Sequence, residues 1–168
     1  GAESTIPQSD DGGNAVVYQN GDSTAVISQS GDQEDANVFQ LGDGNFSQIT
    51  QAGDFANADV DQDGDDNQSF ITQNVAGGSA GSTSAAVVNQ DGDDNFSTIM
   101  QSGRPLSANV EQDGDDNRSS ITQSGGGHTA SVTQNKTNEN FNFFDSGRNR
   151  STIVQSGSAG ATAIVGQT

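Results

Sequence analysis

The sequence predicts an all-β protein, a β-solenoid of two stacked parallel sheets wound as about seven two-strand coils. Three observations predict it: a glutamine recurring about every eleven residues, a β-branched residue two positions before it, and Ala or Ser four before it. The glutamines are Gln8, Gln19, Gln29, Gln40, Gln51, Gln62, Gln73, Gln90, Gln101, Gln112, Gln123, Gln134, Gln155 and Gln167. Ahead of them stand Ile6, Val17, Ile27, Val38, Ile49, Val60, Ile71, Val88, Ile99, Val110, Ile121, Val132, Ile153 and Val165. Alternate positions held constant while the others vary is the signature of a strand with one buried face. The free positions take Asp59 and Asp61, Asn109 and Glu111, or Arg118 and Ser120, and no charge falls at the constant ones.

Ile segments and Val segments take turns from Ile6 through Val132, so the full repeat is two strands and about 22 residues long. Wound as a coil, this stacks Ile strands on Ile strands and Val strands on Val strands, ~4.8 Å apart. The expected core ladder runs through Ile49, Gln51, Val60, Gln62, Asn67, Ile71, Gln73, Val88 and Gln90. It continues through Asn95, Ile99, Gln101, Val110, Gln112, Asn117, Ile121 and Gln123. The turns agree, because Gly follows the glutamine by two at Gly21, Gly53 and Gly114, where a tight reversal needs positive φ. After Val strands the turn often ends in Asn (Asn67, Asn95, Asn117), which opens the inward face of the next strand.

Residues 1–168 read as one such domain with two interruptions. Segment 74–83, rich in Gly and Ser, is a loop excursion. Segment 135–148, with Phe141, Phe143 and Phe144, is either a looped-out insertion or a further strand with Asp145 in the glutamine position. Removing it restores the Ile/Val alternation, which favours the insertion.

Hydrophobic residues make up only 29% of the chain and the net charge is −18, a composition near the disordered class unless a repeat supplies a one-dimensional core. Five Lys and Arg cannot provide a phosphate-binding surface, so nucleic acid is not an expected partner. No apolar run is long enough to span a membrane and no signal-peptide core is present, as in a cytosolic protein or an already processed one. Cysteine is absent, which excludes disulfides and cysteine-based zinc sites.

The turn sequences Asp63-Gly-Asp-Asp66, Asp91-Gly-Asp-Asp94 and Asp113-Gly-Asp-Asp116 fall on the same turn of three successive coils. Charges stacked at that spacing repel by about 0.9 kcal/mol per pair even in bulk water. Asp63, Asp65, Asp91, Asp93, Asp113 and Asp115 are therefore candidates for Ca²⁺ binding or for charge-gated assembly; plain solubility is the simpler reading and the favoured one. The run Asp59-x-Asp61-x-Asp63-Gly64 resembles an EF-hand start, but Phe70 stands where the twelfth-position Glu belongs. His128, the one histidine, has no repeating partner for a metal site or a triad, so no enzyme and no cofactor is expected. Phe46, Phe70 and Phe96 face outward on Ile strands, either as lateral contacts or as scattered surface aromatics.

The segments Gln40-Leu-Gly-Asp-Gly-Asn45 to Gln51, Gln62 to Asn67 to Gln73, Gln90 to Asn95 to Gln101, and Gln112 to Asn117 to Gln123 resemble the curlin repeat. That family's pattern is Ser, five residues, Gln-x-Gly-x-x-Asn, five residues, Gln. Its opening Ser is kept at Ser84 and replaced at Ala56 and Leu106. The resemblance implies a secreted, mature subunit of an amyloid-like cross-β fibre at the cell surface, part of the biofilm matrix and supporting adhesion and aggregation. It also implies an outer-membrane secretion channel and a nucleator subunit as partners, and no catalytic residues.

The repeat runs to both ends without a capping helix or charged cluster, leaving strand edges at Ser4, Ile6 and Gln8 and at Ala163, Val165 and Gln167. These edges are expected to pair with further copies of the chain. The competing readings are a monomeric β-solenoid binding, adhesin or ice-binding module, and a Ca²⁺-folded glycine–aspartate repeat. Met100 and Val154 interrupt the threonine row of Thr50, Thr72 and Thr122, and the eleven-residue period departs from the nine of the Ca²⁺ repeats.

Overall fold

The computed structural model describes residues 1–9, 11–75, 83–135 and 149–168. In chain order the strands are β1 (Glu3–Thr5), β2 (Gln8–Ser9), β3 (Asn14–Asn20), β4 (Thr24–Ser30), β5 (Asp35–Leu41), β6 (Phe46–Gly53), β7 (Ala56–Asp63) and β8 (Gln68–Val75). They continue as β9 (Ser84–Asp91), β10 (Phe96–Gly103), β11 (Leu106–Asp113), β12 (Arg118–Gly125), β13 (His128–Asn135), β14 (Arg150–Gly157) and β15 (Thr162–Gln167). The chain belongs to the β-solenoid class: successive strands alternate between two sheets, and every pairing is parallel. One sheet stacks β1 and β2, β4, β6, β8, β10, β12 and β14; the other stacks β3, β5, β7, β9, β11, β13 and β15.

Register follows side-chain identity. Ile27, Ile49, Ile71, Ile99, Ile121 and Ile153 pair in succession in the first sheet. Val17, Val38, Val60, Val88, Val110, Val132 and Val165 do so in the second. A slip of one residue would turn every apolar side chain to solvent, which is why the period of two specifies the pairing so strongly. The interior is one continuous cluster of these Ile and Val residues with the Ala column between them. Ser69, Ser97, Ser119 and Ser151 share the Ala level in the Ile sheet, where their buried hydroxyls have no partner among the described residues.

The first coil departs from a single strand over 2–8. It splits at Ile6–Pro7 into β1 and β2, because Pro7 has no N–H to give to the ladder. The Pro7 carbonyl still accepts from the Gln29 N–H at 3.1 Å, and Ile6 is left 38% exposed. The excursion at 74–83 begins later than its composition implied: β8 continues through Asn74 and Val75, and Val75 is buried, paired with Gly53. Residues 76–82 of that segment, and 136–148 of the expected insertion, lie outside the described residues. On either side of the second, Asn135 ends β13, and β14 pairs directly with β12 so that Ile121 meets Ile153.

Candidate functional site

The feature that repeats most strictly is the inward glutamine. Each sheet carries a file of them, Gln8-29-51-73-101-123-155 in the Ile sheet and Gln19-40-62-90-112-134-167 in the Val sheet. Within a file every Nε2 donates to the Oε1 of the next glutamine along the chain, at 2.6 to 3.0 Å. The second N–H crosses the interior to a backbone carbonyl of the opposite sheet. Gln51 donates to Asp35 at 2.9 Å, Gln73 to Asn57 at 3.0 Å and Gln101 to Ala85 at 3.0 Å. An amide has one acceptor and two donors, and this geometry uses all three. Glutamine therefore does what neither a hydroxyl nor a carboxylate can: it ties adjacent coils together and ties the two sheets together from within the buried interior. Cross-β stacks gain from amide ladders in the same way.

A second ladder lines the corner after the Val strands. Asn67, Asn95 and Asn117 each give the backbone N–H to the Oδ1 of the preceding asparagine, at 2.9 to 3.0 Å. Asn45 and Asn67 send Nδ2 to the carbonyls of Gly64 and Gly92 in the next coil. The glycines at this corner stack so closely that a Cβ on Gly64 would strike the Gly92 carbonyl, and Gly64 itself has φ +121°.

The acidic turns have a structural task that charge counting missed. The Oδ1 of Asp43, Asp65, Asp93 and Asp115 accepts the backbone N–H of Asp22, Asp43, Asp65 and Asp93 in turn, at 2.8 to 3.0 Å. Each carboxylate thus satisfies an amide one coil back, which offsets part of the repulsion along the row. The signal was present in the sequence, because an Asp directly follows the turn Gly at all five places. Asp63, Asp91 and Asp113 end their strands on the outer face, register-paired one above another. Among the described residues no group of three or more His, Cys, Asp or Glu is placed to hold a metal ion. Asp61, flanked by Asp59, Asp63 and Asp91, has its carboxyl pushed above the usual range, first by burial and then by those charges.

At the opposite corner the opening Ser position of the repeat is a buried column of Glu34, Ala56, Ser84, Leu106 and His128. His128 accepts the Ala161 N–H at Nδ1 (3.2 Å) and so carries its proton on Nε2, which faces the carbonyls of Ser124 and Gly157, both at 3.1 Å. Both ring nitrogens are thereby committed to backbone. Phe46, Phe70 and Phe96 form a zigzag row on the outer face of the Ile sheet, with Phe46 and Phe96 at one register and Phe70 two residues on, ring centroids 5.5 and 5.6 Å apart, and the Arg118 guanidinium 4.3 Å from the Phe96 centroid.

The ladders make the two edge coils chemically different. At the leading edge, the Oε1 atoms of Gln8 and Gln19 accept no hydrogen bond among the described residues, and Ser4, Ile6 and Gln8 are exposed. At the trailing edge, Ala163, Val165 and Gln167 are half-buried, and Gln167 spends one N–H on the Arg150 carbonyl, the other having no acceptor among the described residues. Gln155 turns its amide to the carbonyls of Thr129 and Ala161.

Fold and site together define a structural repeat protein, a β-solenoid whose repeating polar groups serve stacking. The family model of the curlin associated repeat matches residues 22–53, 81–114 and 106–135, just over half of the chain. The chain belongs to this family, whose members are structural subunits of the curli type. No curated protein and no solved structure gives a match.

Proposed function

We propose that the chain is a fibre subunit that adds end to end, the trailing edge of one copy continuing the solenoid onto the leading edge of the next. The observation that carries this reading is the direction of the glutamine files. Every glutamine that has a following coil donates to it, so one edge presents acceptors (Gln8, Gln19) and the other, at Gln167, a donor with no second acceptor among the described residues. Joining unlike edges lets Gln167 donate to Gln19 and sets Val165 and Ala163 against Val17 and Ala15. Joining two leading edges would oppose oxygen to oxygen, and joining two trailing edges would oppose N–H to N–H. Exposed backbone along both edge strands adds the usual template for parallel pairing. The fibre so formed is a polar cross-β filament, extracellular and part of a biofilm matrix in which it supports adhesion. A secretion channel in the outer membrane and a nucleator are its expected partners.

The test is growth from seeds. Purified chain should form thioflavin-positive filaments with a meridional reflection near ~4.7 Å. Gln167→Ala combined with Val165→Asp should slow elongation severalfold. Unchanged elongation in that variant, or a monomer stable at high concentration in wild type, would refute the proposal.

A further inference from the structure

The four sides of the solenoid differ in charge. The outer face of the Val sheet carries Asp35, Asp59, Asp61, Asp63, Asp91, Glu111 and Asp113 and, among the described residues, no Lys or Arg. The turns beside it carry the file from Asp22 to Asp115. From β4 to β14 the outer face of the Ile sheet has no carboxylate at all. It presents Thr, Ser and Gln around the phenylalanine row, with Met100 50% and Val154 71% exposed. Its charges sit at opposite ends: Glu3 on β1, Arg118 and Arg150 on β12 and β14.

We infer that the outer face of the Ile sheet is a lateral interface, and that its occupant is the same face of a second copy, related by a two-fold axis that runs parallel to the strands between the two faces. In a chain of net charge −18 this is the broad side on which two copies approach without opposing rows of carboxylates. Antiparallel apposition brings Glu3 of one copy toward Arg118 and Arg150 of the other. Six strands at ~4.8 Å and eight residues at ~3.3 Å span about 29 by 26 Å, or roughly 750 Å². A stable interface needs about 800 Å² from each partner, so one face supplies nearly the whole requirement. The isologous arrangement closes on itself and yields pairs instead of open-ended sheets. Met100, Thr72 and Thr50 are register neighbours near the middle of the patch.

The inference deepens the end-to-end reading and rests on it for the filament form alone, since lateral pairing and growth use different surfaces. Mass per length of filaments should correspond to two solenoids in wild type and fall twofold to one in Thr72→Asp combined with Met100→Asp. Thr133→Asp, on the outer face of the Val sheet, should leave two. Pairing should strengthen with salt, because screening relieves the repulsion between the many carboxylates of two strongly acidic chains more than it weakens the few Glu3–Arg attractions at the ends of the contact. Single-solenoid wild-type filaments, or doubled filaments in the Thr72/Met100 variant, would overturn the inference. So would pairs that salt disperses, the mark of an Ile face docked on an acidic Val face. If no filaments form, the growth reading fails and sedimentation of the soluble chain decides: a dimer dispersed by the double substitution supports the interface, and a monomer at every salt concentration removes it.

Discussion

Gln73 stands in the middle of its file, buried completely. It accepts from Gln51 at 3.0 Å and donates to Gln101 at 2.9 Å, to Asn57 at 3.0 Å and to Ser84 at 3.2 Å. Gln73→Ala strips the Gln101 Oε1 of its donor and one Gln51 N–H of its acceptor, in an interior too narrow for the neighbours to collapse into the gap. Two unsatisfied buried groups at about 1–3 kcal/mol each, with lost packing, come to about 3–5 kcal/mol. Gln167→Ala, half-exposed at the trailing edge, should cost less than about 1 kcal/mol because water replaces its partners. Gln73→Glu sharpens the test. A carboxylate can accept from Gln51, but it meets the oxygens of Gln101, Asn57 and Ser84 with nothing to donate. Its folded-state pKa must therefore rise above the ordinary ~4.3. The sign follows: Gln73→Glu is least destabilised below that unfolded value, where the protonated acid can donate to Gln101, and loses stability as pH rises through the higher folded value. Urea midpoints followed by β-sheet circular dichroism between acid and neutral pH measure both effects. Equal midpoints for Gln73→Ala and Gln167→Ala, or a Gln73→Glu deficit independent of pH, would refute the ladder argument.

Two further outcomes follow from the turns and the outer face. Gly64→Ala should cost about 2–4 kcal/mol, from positive φ and collision with the Gly92 carbonyl. Gly157→Ala, whose φ is +113° but whose Cβ would meet nothing among the described residues, should cost only about 1 kcal/mol, so unfolding midpoints rank the pair. Asp61→Asn should stabilise the chain near neutral pH, because the folded-state pKa of Asp61 lies above its unfolded value. The ionised form is the one the fold disfavours, so the gain should shrink as pH falls through the carboxylate range, and a gain constant with pH would contradict it.

Much of the fold was legible because a solenoid repeats its own contacts. The residues that meet across the stack are about 22 apart and alike, so Ile71 finds Ile49 and Ile99 by period alone. The inward face, the two-sheet alternation and the glutamine column follow from a period of two laid over a period of eleven. The sequence also placed Phe46, Phe70 and Phe96 outward, and the structure packs them into one row.

What the period could not say is how nonrepeating positions are used. His128 occupies a buried column with Glu34, Ala56, Ser84 and Leu106, five residues with no shared chemistry, because that corner selects for filling space more than for one functional group. The continuation of β8 through Val75 and the Asp carboxylates that bind amides one coil back depend on distances between coils. The direction of the amide files is the clearest case. Composition and spacing determine that glutamines stack, but an amide can point either way, and only the tertiary structure, where the second N–H must reach a carbonyl across the interior, gives every file one direction and the solenoid two unlike ends.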